Sequence, residues 1–225
     1  MAAEEPHGDQ ARGVFRPGKP TLRVDRILRL QGYRTLEKVR PVVRRAADIA
    51  AERAEAAIRP EVHYCRSAIR STDAGALALA DGVVFSCPAF ERLLARAHAV
   101  VVVIVTMGAA LDEELAASAE RKDAQPLDQL FLETCGWLAV EQTTKQFGAF
   151  YKGLVRPQGE RITSRLAPGY SYRVGGRTVA WPLEQQHQVF QMFSGVDLPV
   201  RLLESAAMLP KMSRTGMYGI VRGAG

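Results

Sequence analysis

The sequence predicts an α+β fold. Helical periodicity dominates the first two-thirds of the chain, and short strand-and-turn segments fill the last third. Strands and helices do not alternate regularly, which argues against a doubly wound α/β sheet, and no internal repeat recurs. The 225 residues are 47% hydrophobic and 24% charged, enough for one sizeable core.

Residues 1–20 carry Gly, Pro and mixed charges without periodicity and are expected to form a flexible tail, leaving 21–225 as the folded domain. Val24 to Leu30 reads as a short helix stopped by Gly32. Thr35 is a plausible N-cap for a helix carrying Leu36, Val39, Val43, Ala46 and Ala50 at helical spacing and ending at Pro60. Pro41 falls in its first turns, where proline is tolerated. Leu77, Leu79 and Val83–Phe85 flank Asp81-Gly82, a hairpin signal. Ser86 then reads as the cap of a helix with Pro88 in its early turn.

The Val-rich run from Ala99 to Met107 reads as a buried strand broken by Gly108. Asp112, Glu113 and Glu114 start the next helix, where carboxylates complement the helix dipole. Pro126 opens a long helix to about Lys152, with Leu127, Leu130, Phe131, Thr134, Leu138 and Glu141 near one face. Strands are expected over Ile162–Tyr170 and Tyr172–Trp181, the second folded around Gly175-Gly176. A helix follows from Pro182 to Gly195, then strands near Val200–Glu204 and Met217–Val221.

Composition narrows the function classes. No apolar run approaches the length needed to span a bilayer, and the first residues lack the apolar stretch of a secretory signal, so a cytoplasmic protein is expected. Cys65, Cys87 and Cys135 stand far apart, and with four scattered histidines they form no zinc spacing. The net charge of +6 suits an acidic partner. Basic and acidic residues are interspersed, as in RRAADIAAERAE, and no aromatic-basic motif accompanies them, which favours an acidic protein such as an electron carrier over nucleic acid.

Familiar catalytic motifs are missing. VTMGAAL has one Gly where a dinucleotide fingerprint needs three, and neither a Walker motif nor a GxSxG elbow occurs. His63 and His187 have no sequence partners for a triad. The informative stretch is Ser164 to Tyr170, SRLAPGY. Pro168 fixes its own φ and Gly169 permits conformations closed to other residues, so the chain bends sharply between Arg165 and Tyr170. An ordinary strand corner is the alternative reading. A second cluster holds Glu204, Met208, Pro210, Ser213, Gly216 and Tyr218; core packing is its alternative.

Together, the Arg-x-x-Pro-Gly-Tyr bend, the ES-x-x-M-x-P segment and the Ser-x-x-Gly-x-Tyr ending resemble the activation domain of cobalamin-dependent methionine synthase. The strings WPLEQQ, Trp181 to Gln186, and VTMG, Val105 to Gly108, look like those of free-standing members of that family. The resemblance implies helices packed on a twisted antiparallel sheet. It implies S-adenosylmethionine as ligand, and cobalamin carried by a partner corrinoid protein or methyltransferase. The implied role is to hold S-adenosylmethionine over the corrinoid during its reductive reactivation; a non-catalytic docking subunit or chaperone is the alternative.

By the same resemblance, Arg165 would grip the ligand carboxylate and Glu141 its amino group. The Ala167, Pro168 and Gly169 backbone would meet adenine or ribose, and Tyr170 and Tyr218 would stack on adenine or face the cation. Two features depart from the synthase pattern: Ser171-Tyr172-Arg173 follows the Gly-Tyr turn, and a short hairpin is inserted at Val174–Thr178.

Overall fold

The structure is a computed structural model that describes residues 12–121 and 125–223. Its centre is an antiparallel sheet of β1 (Arg12–Phe15), β2 (Glu61–Asp73), β3 (Ala76–Leu79), β4 (Val84–Ser86), β5 (Ala97–Thr106), β6 (Glu160–Ile162) and β11 (Ser213–Arg222). The order is β4-β3-β2-β5-β11-β6, with β1 on the β3 edge of β2, opposite its first half. The Val-rich segment is β5, at the centre of the sheet. Val101, Val103 and Val105 face one side; Val100, Val102 and Ile104 face the other, and all six are buried. A strand covered on both faces needs no polar alternation, which is why this one reads as a continuous apolar run.

One face is covered by α1 (Val24–Leu30), α2 (Pro41–Ala57), α4 (Ala110–Glu120) and the 30-residue α5 (Pro126–Val155). Small side chains let this layer approach closely: α2 buries Ala47, Ala50, Ala51 and Ala54, and Gly136 of α5 leaves the space that Met212 fills. The other face is covered by α3 (Phe90–Leu93), the hairpin β7 (Ser171–Val174)–β8 (Arg177–Ala180), and α6 (Gln186–Gln191). Trp181 is fully buried there, with Phe85 and Phe90 edge-on at 5.8 and 4.9 Å. A small hairpin, β9 (Arg201–Leu202) with β10 (Met208–Leu209), leads into β11.

Several boundaries differ from expectation. Of the expected tail, residues 1–11 lie outside the described residues, whereas Arg12–Phe15 forms a strand on β2. Thr35 opens only a 3-10 turn, Leu36–Lys38; the helix starts at Pro41, because proline holds Arg40 extended and suits the first helical position. Ser86 belongs to β4 and caps nothing, since only one helical turn follows Pro88. The expected strand Ile162–Tyr170 shrinks to β6 plus a single bridge, Leu166 with Met217, as Pro168 and Gly169 turn the chain away. The helix expected from Pro182 begins as a 3-10 turn, Leu183–Gln185, and the Val200–Glu204 strand is only β9. The hairpin around Gly175-Gly176 is present; both glycines have positive φ, +58° and +80°, as a two-residue hairpin turn requires. No helix among the described residues is long and apolar enough to cross a membrane.

Candidate functional site

A cleft of about 430 Å³ opens between α5 and the β6–β11 edge of the sheet. On α5, Glu141, Lys145, Gly148 and Lys152 line it at steps of three and four residues, the spacing of one helix face. Opposite stand Thr163, Ser164, Arg165, Arg214 and Tyr218. Strand geometry explains the β11 contribution. Arg214, Gly216, Tyr218 and Ile220 alternate toward the helical layer, while Thr215 and Met217 face the other side.

Gly216 leaves a gap in that row, and Arg165 fills it. A Cβ on Gly216 would stand 2.8 Å from Arg165 Cδ and 2.9 Å from Cγ. The Arg165 Nη1 donates to the Thr215 carbonyl at 2.8 Å, and its guanidinium carbon lies 5.1 Å from the Tyr170 ring centroid. Arg165 is thus a half-buried, oriented cation that keeps further N–H donors for a ligand.

The phenol of Tyr218 is buried beside Phe147, with ring centroids 6.1 Å apart. Burial pushes its pKa up more strongly than Arg165 and Arg214 pull it down, so it remains a protonated donor at neutral pH. Glu141 is held by Lys145 at 2.6 Å and Arg26 at 3.5 Å. The Lys145 hydrogen bond is the main reason its carboxyl lies below the ordinary value; burial opposes it, and the charges of Lys145, Arg26 and Arg214 add to the lowering.

The structure therefore gathers three of the residues named from sequence, Glu141, Arg165 and Tyr218, around one cleft. Tyr170, half exposed, stacks on Arg165 at the rim. Ala167, Pro168 and Gly169 stand outside the cleft lining. The backbone of Ala167 is engaged by the Tyr172 hydroxyl, which accepts from its N–H at 2.7 Å and donates to its carbonyl at 3.1 Å. The Gly169 N–H donates to the Trp181 carbonyl at 2.8 Å. These three residues shape the bend that aims Arg165, with Gly169 at φ +82°. Tyr172, on β7, holds the bend through its two bonds to Ala167.

Sequence reading missed Arg214, Lys145 and Lys152. A signal for two existed: Lys145 and Lys152 stand four and eleven residues from Glu141 on one helix, whereas Arg214 had none, since the expected strand began at Met217. No group of three or more His, Cys, Asp or Glu among the described residues could hold a metal ion.

No family model matches the chain, and no curated protein matches it in sequence. Among solved structures it is similar to the MetH reactivation domain bound to AdoHcy. The TM-score is 0.64 at 14% identity, over 93% of this chain and 78% of that one. At that identity the likeness is one of fold: this chain is a mixed α+β protein with the curled antiparallel sheet and helical cover of the MetH reactivation domain.

Proposed function

We propose that the cleft binds S-adenosylmethionine, and that the chain is an accessory module for the reductive reactivation, by remethylation, of a corrinoid methyltransferase such as methionine synthase. The observation that carries this reading is the meeting of Glu141, Arg165 and Tyr218 in one cleft, on a fold shared with a domain solved with AdoHcy. The donor set fits the ligand. Arg165 offers a forked donor for the carboxylate, Glu141 an acceptor for the ammonium, and Tyr218 a phenol beside the nucleoside.

Lys145 is 67% exposed, so a ligand ammonium displaces it from Glu141 at little cost. The ligand supplies a methyl group on sulfonium to a reduced corrinoid held by the partner protein, leaving S-adenosylhomocysteine. This chain's own part is to bind, orient and dock, which needs no proton-transfer machinery. The net charge of +6 suits docking of an acidic electron-transfer protein as the source of the reducing electron.

Calorimetric titration of the full chain with S-adenosylmethionine tests the reading. Binding is expected, and Arg165→Ala should weaken it by about 2–5 kcal/mol as a buried charge pair is lost. Absence of heat at millimolar ligand would overturn it. The prior engagement of Glu141 by Lys145 and Arg26 favours a second reading, in which the chain docks a corrinoid methyltransferase without taking the nucleoside. A stable complex with that enzyme, formed by a chain that gives no heat with S-adenosylmethionine, would select it.

A further inference from the structure

The cleft carries more positive charge than its ligand reading uses. Lys145, Lys152, Arg165 and Arg214 line it against the single carboxylate of Glu141. Arg214 is the residue without an evident task. It is half-buried on β11, and among the described residues no hydrogen bond or ion pair engages its guanidinium, while Glu141 is taken by Lys145 and Arg26. Burial, and then the neighbouring charge of Arg165, lower its pKa, offset in part by Tyr170, Glu141 and Tyr218. Arg165 packs over Gly216, two residues from Arg214 on the same face of β11. Two guanidiniums lining one cleft in this way, one of them unpartnered, are an incomplete arrangement that an anion completes.

We infer that Arg165 and Arg214 form an oxyanion subsite, which takes a ligand carboxylate or phosphate across both guanidiniums and makes the cleft disfavour ligands of net positive charge. The subsite stands on the geometry of the cleft; its consequence for nucleosides rests on the function proposed above. S-adenosylhomocysteine, with one ammonium and one carboxylate, is neutral overall, whereas S-adenosylmethionine adds the sulfonium charge. Both carboxylates meet the same pair of arginines, but only the second ligand brings an extra cation into a cationic cleft. The chain then binds the demethylated product more tightly than the methyl donor, and accumulated product holds it in the spent state.

Calorimetry on the full chain with three probes decides the matter. S-adenosylhomocysteine is expected to bind about tenfold or more tightly than S-adenosylmethionine. Arg214→Met should bring the two within about twofold, and Arg214→Lys should preserve the preference, with circular dichroism confirming that each variant folds. Equal or reversed affinities in the wild-type chain, or an unchanged ratio in Arg214→Met, would overturn the inference; the wild-type ratio requires no variant to fold. If neither nucleoside gives heat, the proposed function fails and inorganic pyrophosphate tests the subsite alone. Pyrophosphate binding that falls at least tenfold in Arg214→Met upholds an anion site for phosphate, and no pyrophosphate binding removes the subsite as well.

Discussion

Gly216→Ala tests whether the bare patch on β11 exists to seat Arg165. The new Cβ would stand 2.8 Å from Arg165 Cδ. Ordinary carbon contacts begin at about 3.5 Å, so the stem of the arginine must retreat by about 0.7 Å. That displacement stretches the 2.8 Å bond from Nη1 to the Thr215 carbonyl beyond useful length. Loss of a hydrogen bond from a charged donor costs about 1.5–3 kcal/mol. The smaller conformational freedom of alanine in the unfolded chain returns about 0.4–1 kcal/mol, because Gly216 lies in extended strand and its φ needs no glycine.

The balance is a destabilisation of about 1–2 kcal/mol. For a chain of this size it lowers Tm by about 3–6 °C. Calorimetric melting of four proteins measures it: wild type, Gly216→Ala, Arg165→Ala and the double variant. With the arginine trimmed the Cβ has room, so the glycine substitution becomes neutral or slightly stabilising, and the cycle returns a coupling of about 1.5–3 kcal/mol. The same loss of Tm in both backgrounds would refute the reasoning, since the clash would then lie with something other than Arg165.

Other expectations follow from the same structure. Glu160 is 11% exposed and meets Arg66 through bonds of 2.9 and 3.0 Å and His98 at 2.9 Å. Burial raises its pKa, but the Arg66 hydrogen bond and charge, with those of His98, outweigh this and hold it below the ordinary 4.5. A carboxyl depressed in the folded state contributes its stability in full above the unfolded value and loses it as pH falls through the folded one. Glu160→Gln should therefore be less stable by about 2–3 kcal/mol near pH 7, with the gap to wild type closing below about pH 4.5 in melts across pH. Burial pushes the Cys135 thiol up to about 12 and raises Cys65 and Cys87, so a thiol reagent at pH 8 should label none of the three until denaturant is added. Gly153 lies in α5 with no atom within 4 Å of a would-be Cβ, so Gly153→Ala should raise stability by about 1 kcal/mol in urea titration.

What could be read in the sequence was what local physics decides. Pro126 marks the start of α5, Gly175-Gly176 marks the β7–β8 turn, and the valine run marks the central strand. Elements set by distant partners were illegible. Arg12–Phe15 becomes a strand because the edge of β2 is open and because Gly13 leaves room for the Tyr64 ring, which occupies the place of a side chain. The 13 residues of β2 give no clean alternation, since the first half pairs with β5 on one side and β1 on the other, and a bulge between Ile69 and Ser71 re-aims the rest toward β3. At the site, Arg165 and Tyr218 were named through the resemblance of their motifs. Arg214 escaped because a basic residue on an unassigned strand reads as surface until its face is known.

The period of β11 joins the cleft to the core beneath it. Residues on one side of the strand, Arg214 and Tyr218, line the cleft, and Thr215 between them faces the opposite layer. There its hydroxyl donates to Gln186 Oε1 at 2.9 Å, and Gln186 Nε2 donates to the Ala206 carbonyl at 2.6 Å, in a buried polar chain. The Thr215 carbonyl holds Arg165 at 2.8 Å. The WPLEQQ segment, which touches no part of the cleft, thus fixes the peptide that orients the arginine: buried polar partners cannot be surrendered without a penalty of about 1–3 kcal/mol. A side chain on one face of the sheet positions the cleft arginine on the other through one shared residue. Arg165 and Tyr218 line the cleft, while Gln186, with no part in the lining, braces the backbone that orients the arginine.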